Sequence, residues 1–259
     1  MDPQPQRFTE VLHLSSYVST VFRYRHDAAA ADEDANIFER GKDDYVFCLR
    51  TAAGRFRSRY YLVLEDDVLV RDGALESVNF VMNYFGLFAA DDWLFLKLYY
   101  PDKWSGYGRS VDTLAELAGY SVLGGSLVAA AASRRLLNCR SMPLSFWVVS
   151  GSVFAALVCV GVGRQYVESW RGHFASTHRL VAAPGCCTQA TLYPARVVPD
   201  VVTHLRRVRS DYDFSVDVAL DGLAQLRGLR RHLLQPNVVK HIGLVSSLRR
   251  NSKSAIHFL

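Results

Sequence analysis

Three consecutive carboxylates, Glu65, Asp66 and Asp67, close the apolar run Tyr60-Tyr-Leu-Val-Leu64. Like charges packed this closely repel and raise one another's pKa unless something neutralises them. A divalent cation would do so, and hard ions such as Mg²⁺ or Mn²⁺ take carboxylate oxygens and usually bind substrate phosphates as well. Ligands of α/β folds gather where strands end. The triplet therefore suits the metal–diphosphate site of a nucleotide-sugar glycosyltransferase, the bland alternative being an acidic turn that closes a strand. His241 offers an imidazole as a further metal ligand beside Glu65 and Asp67, or is a core histidine. Lys97, alone in the apolar run Trp93–Tyr99, either faces a substrate phosphate or covers a sheet edge. Sugar transfer with inversion needs a carboxylate beside the acceptor hydroxyl to take its proton. Asp217 is the candidate for that role; equally, Asp213, Asp217 and Asp221, spaced by four, would form an acidic stripe on a solvated helix face.

The elements that must position these groups follow from periodicity. Tyr60–Leu64 reads as a strand covered on both faces, and Trp93–Tyr99 as a second strand. Between them Leu75, Val78, Met82 and Phe85, at spacings of 3, 4 and 3, predict an amphipathic helix after Gly73. An acid-capped helix is expected over Asp32–Leu49, further helices over Arg164–Phe174, Val198–Leu205 and Ser215–Leu226, and short strands at Leu180–Ala183 and within residues 236–243. Pro101–Gly108 is a loop whose Trp104 and Tyr107 could stack on a sugar, although a loop rich in glycine and aromatics is more often simply a loop. Pro184–Gln189 is another loop. Strands alternating with helices define an α/β fold.

The chain has 259 residues, of which 50% are hydrophobic and 21% charged, more apolar than a soluble domain usually is. The surplus sits in two charge-free runs, residues 117–133 and 141–163. The second has the ~20 residues a helix needs to cross a bilayer. The first is shorter, scarcely able to span alone, and rich in small residues that let a partner helix approach. Arg134–Arg140 between them is long enough only to turn the chain back, so the pair reads as a transmembrane hairpin, against the alternative of a buried helical hairpin in a soluble domain. Arginines in the turn favour placing it in the cytosol, with both flanking halves lumenal. Residues 1–112 and 166–259 are then two parts of one domain, interrupted by the hairpin at 113–165.

The net charge is +5, and Arg196–Leu259 holds 11 Lys/Arg against 5 Asp/Glu, which places the excess in the last quarter. Aromatics are not interleaved with these arginines and no nucleic-acid-binding motif is present, so a nucleic-acid partner is not expected; a solvated basic face is the default reading, and contact with anionic lipid headgroups or with the phosphates of an acceptor the alternative. Five cysteines with no Cys-x-x-Cys pair and no His cluster at ligand spacing argue against a zinc module and against a disulfide-dense small scaffold. If the flanking halves are lumenal, Cys48 could bridge to Cys186 or Cys187. The start of the chain carries no signal peptide pattern.

Tyr60-Tyr-Leu-Val-Leu-Glu-Asp-Asp-Val-Leu69, Phe95-Leu-Lys-Leu-Tyr-Tyr-Pro101, Cys186-Cys-Thr-Gln-Ala190 and Pro236-Asn-Val-Val-Lys-His-Ile-Gly-Leu-Val-Ser-Ser-Leu248 occur in that order around the apolar hairpin. From about Asn36 to Leu248 this arrangement resembles the GPI N-acetylgalactosamine transferases, in which a tandem transmembrane pair interrupts a glycosyltransferase-A fold, and so implies an α/β fold with a mixed sheet interrupted by a transmembrane helical hairpin. The resemblance implies a Golgi membrane enzyme, multi-pass with lumenal catalytic halves. It would move N-acetylgalactosamine from UDP-GalNAc to a mannose of the GPI glycan on a GPI-anchored protein, with Mn²⁺ or another divalent cation. It further implies that Glu65, Asp66 and Asp67 are the DXD-like motif for metal and donor, and that Thr188, Gln189 and Ala190 line the donor sugar. Gln189 stands where the family has proline. Asp217 matches a family acidic residue at a helix start. The acidic triplet and Lys-Leu-Tyr-Tyr are also similar to the branching N-acetylglucosaminyltransferases of N-glycans, the competing reading. The family's N-terminal anchor and first nucleotide-binding strand have no counterpart ahead of the helix near Val11, so the domain is expected to be incomplete at its front, and an inactive truncated membrane protein is a third reading.

Overall fold

The computed structural model describes residue 17 and residues 37–101, 106–135, 142–210 and 215–243. The expected helix before residue 37, Trp104, Cys139, Asp213 and the segment after Gly243 lie outside the described residues. The chain divides into two compact units, the first from Met1–Tyr99, Arg179–Leu234 and Val238–Leu259, the second from Tyr100–His178 with Gln235–Asn237.

In the first unit, helix α1 (Ile37–Arg55) precedes strand β1 (Tyr60–Leu64), β2 (Val68–Val70), helix α2 (Ala74–Tyr84) and β3 (Trp93–Lys97). Strand β4 (Arg179–Ala182), β5 (Ala190–Pro194), helices α6 (Val198–Arg207) and α7 (Val216–Arg227), β6 (Arg230–Gln235) and β7 (Val239–His241) complete it, α3 to α5 belonging to the second unit. The sheet is mixed, in the order β1-β5-β3-β6-β4, and β2 pairs with β7 in a separate ribbon. β5 runs antiparallel to both β1 and β3, and β3 runs parallel to β6. The expected α/β class with a mixed sheet is thus what forms.

Trp93 to Leu96 are each fully buried, which suits an uninterrupted apolar run at the sheet's centre. β1 differs from expectation: it is the edge of the described sheet, and Leu62 and Leu64 are 39% and 40% exposed, so only one face is well covered. The core gathers Val81 and Met82 of α2 with Trp93, Leu96, Leu192, Leu234 and Val239. Polar groups drawn into it are satisfied. The Trp93 indole N–H donates to the Leu87 and Ala90 carbonyls at 3.1 Å each, and the Tyr45 and Tyr193 hydroxyls share a 2.7 Å hydrogen bond that ties α1 to β5. Burial pushes both tyrosines above their usual pKa. α7 stops at Gly228, whose φ of 63° is the left-handed closure that glycine adopts without strain.

The second unit holds α3 (Val111–Arg135), α4 (Leu144–Val162) and α5 (Arg164–Arg171). α3 starts six residues before its charge-free run, taking in Asp112 and Glu116, and this lengthening overturns the expectation that the first run is too short. Val111–Ser133 and Leu144–Val162, with mean hydropathies of 1.4 and 2.0, are each long and apolar enough to cross a membrane. Only 11% and 6% of those stretches is buried in protein, which disfavours the soluble-core hairpin. The two helices meet through small residues. A Cβ on Gly151 would lie 2.8 Å from Val128 Cβ and 3.0 Å from Gly125 Cα, so close approach requires glycine there. At the hairpin base Arg164, 2% exposed, bridges Glu116 at 3.0 Å and Glu168 at 2.6 Å. Tyr107, which as an exposed loop residue could have stacked on a sugar, is instead buried in a 3₁₀ turn, and its carbonyl accepts from the Thr113 hydroxyl at 2.5 Å.

Candidate functional site

The chain leaves β1 at Leu64, turns through Asp66 and Asp67, and enters β2. Ribbon pairing of β2 with β7 sets Val68 opposite His241, and the Ile242 N–H donates to the Asp67 carbonyl at 2.8 Å. This brings together groups 176 or so positions apart in sequence: ligand atoms of Glu65, Asp67 and His241 all lie within 4.8 Å of one another. His241 Nε2 is 2.9 Å from Asp67 Oδ2, and the imidazole, 9% exposed, lies against the Tyr99 ring at 5.9 Å. Among the described residues Asp67 Oδ1 is buried without a hydrogen-bond partner. A Cβ on Gly243 would run into the Asp67 carboxylate, so glycine leaves that carboxylate its place. Two hard carboxylates, one imidazole and a buried oxygen lacking a donor form a set that fits a borderline divalent cation. Asp66 is exposed in the turn and is not part of this cluster.

The loop from Pro184 to Gln189 joins β4 to β5 and reaches both groups of acids. The Glu65 N–H donates to the Gln189 carbonyl at 2.9 Å, and the Thr188 hydroxyl to Glu65 Oε1 at 3.1 Å. On its other side the Cys187 N–H donates to Asp217 Oδ2 at 2.8 Å, while Asp217 Oδ1 accepts from the Ser215 hydroxyl and from the Val218 N–H at 3.1 Å. Asp217 thus stands in the first turn of α7, where carboxylates are favoured. It faces the loop rather than a solvated stripe, and Asp221 one turn on pairs with Arg231 at 2.5 Å. Ala190 opens β5 and is buried; Gln189 Oε1 is buried without a hydrogen-bond partner among the described residues.

The bridge from Cys48 to Cys186 or Cys187 is not formed. Cys186 and Cys187 are thiols whose sulfurs are 2.8 Å apart, with Cys187 at a φ of 73°. The hydrogen bond from Cys187, helped by the Lys97 ammonium, holds the Cys186 thiol below its usual range, and the same bond with burial pushes Cys187 up. Lys97 ends the central strand, which excludes a sheet-edge role, and its Nζ donates to the Pro184 carbonyl at 3.0 Å and to that of Cys186. The basic last quarter is partly neutralised: Arg227 pairs with Asp200 at 3.0 Å and Arg230 with Asp92 at 2.5 Å. Sequence reasoning missed Ser215 and Tyr99 as neighbours of the candidate residues, since neither hydroxyl nor ring shows a pattern until β7 and α7 are folded beside it.

The first unit is an α/β fold with acids clustered at a strand end, and the second holds a hairpin long and apolar enough to cross a membrane. No solved structure matches the chain. Residues 1–240 match the family described as GPI-N-acetylgalactosamine transferase PGAP4, and the chain belongs to that family. Membership makes it a glycosyltransferase by family, with the GPI glycan as the family's acceptor.

Proposed function

We propose that the chain moves N-acetylgalactosamine from UDP-GalNAc to a mannose of the GPI glycan, in a glycosyltransferase-A manner that depends on a divalent cation, Mn²⁺ by preference. The observation that carries this reading is the convergence of Glu65, Asp67 and His241 within 4.8 Å in a chain of this family. These three residues would hold the ion, which when bound supplies positive charge to the diphosphate of the donor. Asp66, exposed beside them, is available to the donor from solvent. Thr188, Gln189 and Ala190 would line the donor sugar. Asp217 would take the proton of the acceptor hydroxyl: each carboxylate oxygen has two lone-pair positions, so its bonds to Ser215 and Val218 through Oδ1 and to Cys187 through Oδ2 fix its direction and leave one position on Oδ2.

The hairpin would sit in the Golgi membrane, its arginine-containing turn cytosolic and the catalytic halves lumenal, which keeps the enzyme at the surface that carries GPI-anchored acceptors. The test is label transfer by the full chain in detergent or proteoliposomes from UDP-[³H]GalNAc, with GPI-anchored protein as acceptor. Label on a GPI mannose supports the reading. Transfer only from UDP-GlcNAc onto an N-glycan would replace it with the branching-enzyme reading, and no transfer from either donor would leave an inactive protein of the same family.

A further inference from the structure

A lysine at the centre of a sheet is costly unless its charge is compensated, because burial strips its hydration. Lys97 is 1% exposed, on the last position of β3, with Thr191 of β5 and Leu233 of β6 as its register partners. Burial draws its pKa below the usual lysine range, against the opposing pull of Asp221, the two thiols and Asp217. Its Nζ sits 5.2 Å from the centre of the Phe95 ring and reaches the carbonyls of Pro184 and Cys186.

Those two carbonyls belong to the same short loop whose next N–H, that of Cys187, goes to Asp217, and whose next hydroxyl, that of Thr188, goes to Glu65. The loop is held at its start by the Ala183 N–H on the Arg231 carbonyl and at its end by the Glu65 N–H on the Gln189 carbonyl. In between, the backbone turns through the left-handed conformation at Cys187, which a non-glycine residue adopts only where the surroundings enforce it. Gly185 passes so close over the Asp221 carboxylate that a Cβ there would collide with it. Without an ammonium at Lys97, two carbonyls would point into a buried place with no donor, and the turn at Cys187 would lose what enforces it.

We infer that Lys97 is a positioning residue: its ammonium fixes the 184–189 loop so that the Cys187 N–H meets Asp217 and the Thr188 hydroxyl meets Glu65. It acts on chemistry through the loop and does not itself touch the substrate. The consequence for turnover rests on the glycosyltransferase reading above; the consequence for the loop does not.

The experiment compares full-length wild type, Lys97→Met, Lys97→Arg and Met82→Ala in detergent. Met82→Ala removes buried volume under α2 without altering any of the loop's hydrogen bonds, and so controls for general loosening. Amide hydrogen exchange is read on the peptide spanning 184–190, and donor kcat and KM are read with Mn²⁺ and UDP-GalNAc. Lys97→Met is expected to speed exchange of the loop by about tenfold or more while β3, β5 and β6 keep their protection, as expected when buried acceptors lose their donor. It raises donor KM and lowers kcat together, whereas Met82→Ala lowers the melting temperature and leaves KM unchanged. Lys97→Arg, which keeps a cation and donors, retains loop protection and most of the turnover. Loop exchange unchanged in Lys97→Met overturns the inference, as does exchange that rises uniformly along the chain. If Lys97→Met does not accumulate, Lys97→Arg decides: a protected loop with turnover kept supports the inference, and a protected loop with turnover lost places Lys97 on the substrate and overturns it. A wild type without turnover refutes the functional reading alone, since the exchange result still decides the role of Lys97.

Discussion

Gly243→Ala is a perturbation whose effect is set by geometry at the candidate metal cluster. The added Cβ would lie 2.8 Å from Asp67 Cγ and 3.2 Å from Asp67 Cβ, and closer still to Oδ2. Carbon atoms at rest sit roughly 3.5–4.0 Å apart, so the carboxylate or the strand end must move by about 1 Å. Gly243 does not occupy the left-handed region, so alanine is compatible with its backbone, and the ~1 kcal/mol or less that it contributes by restricting the unfolded chain offsets part of the cost of moving the carboxylate. A ligand displaced by ~1 Å, with its supports disturbed, lowers metal affinity by roughly 10–100-fold. Stability and metal binding are therefore expected to part company. Mn²⁺ affinity, measured by electron paramagnetic resonance of the free ion, falls by that factor while the melting temperature of the apoprotein changes little. An affinity within twofold of wild type would show that Asp67 is not a ligand or that the cluster is far softer than its packing implies.

Arg164→Met removes the cation between Glu116 and Glu168, both nearly buried, and leaves two carboxylates, with Arg171 still 3.8 Å from Glu116. The expected loss is about 3–5 kcal/mol, read as a lower melting temperature in detergent, and the triple variant with Glu116→Gln and Glu168→Gln should recover most of it; an unshifted single variant contradicts the network's importance. Gly151→Ala forces a Cβ against Val128 and the Gly125 backbone and should destabilise the hairpin by about 1–3 kcal/mol. Gly119→Ala on the same pair of helices, where a Cβ meets nothing within 4 Å, should be neutral or stabilising by its better helix propensity. Equal melting temperatures for the two alanine variants would mean that the helices do not pack through Gly151.

Much of this architecture was legible where periodicity and burial agree. β3, α2, α6 and α7 follow from apolar spacing, and the hairpin from its length and lack of charge. The strands that escaped notice are those whose stability comes from neighbours. β5, Ala190-Thr-Leu-Tyr-Pro194, ends in proline and is too short to announce itself, yet it lies between β1 and β3 with its residues buried. β6 begins Arg230-Arg-His232, which reads as a polar surface until Asp92 and Asp221 are folded beside the two arginines. At the site the carboxylate types were readable, but their selection was not. Glu65 and Asp67 join His241 because β2 pairs with β7, while Asp66 turns outward. Lys97 illustrates the limit best. Its partners are backbone carbonyls, and a carbonyl leaves no trace in residue identity, so the sequence left phosphate and sheet edge as its two candidates.

The most direct test of the central claim compares wild type and Asp67→Asn for transfer of N-acetylgalactosamine from UDP-GalNAc to a GPI acceptor, across a titration of Mn²⁺ after complete chelation. The substitution keeps the size of the side chain and removes the charge that the buried Oδ1 and the His241-facing Oδ2 would present to the ion. Wild-type transfer should vanish on chelation and return with Mn²⁺, while Asp67→Asn should stay inactive or require far more Mn²⁺. Transfer that survives chelation, or an Asp67→Asn variant that responds to Mn²⁺ as wild type does, would contradict the assignment of this cluster to the reaction.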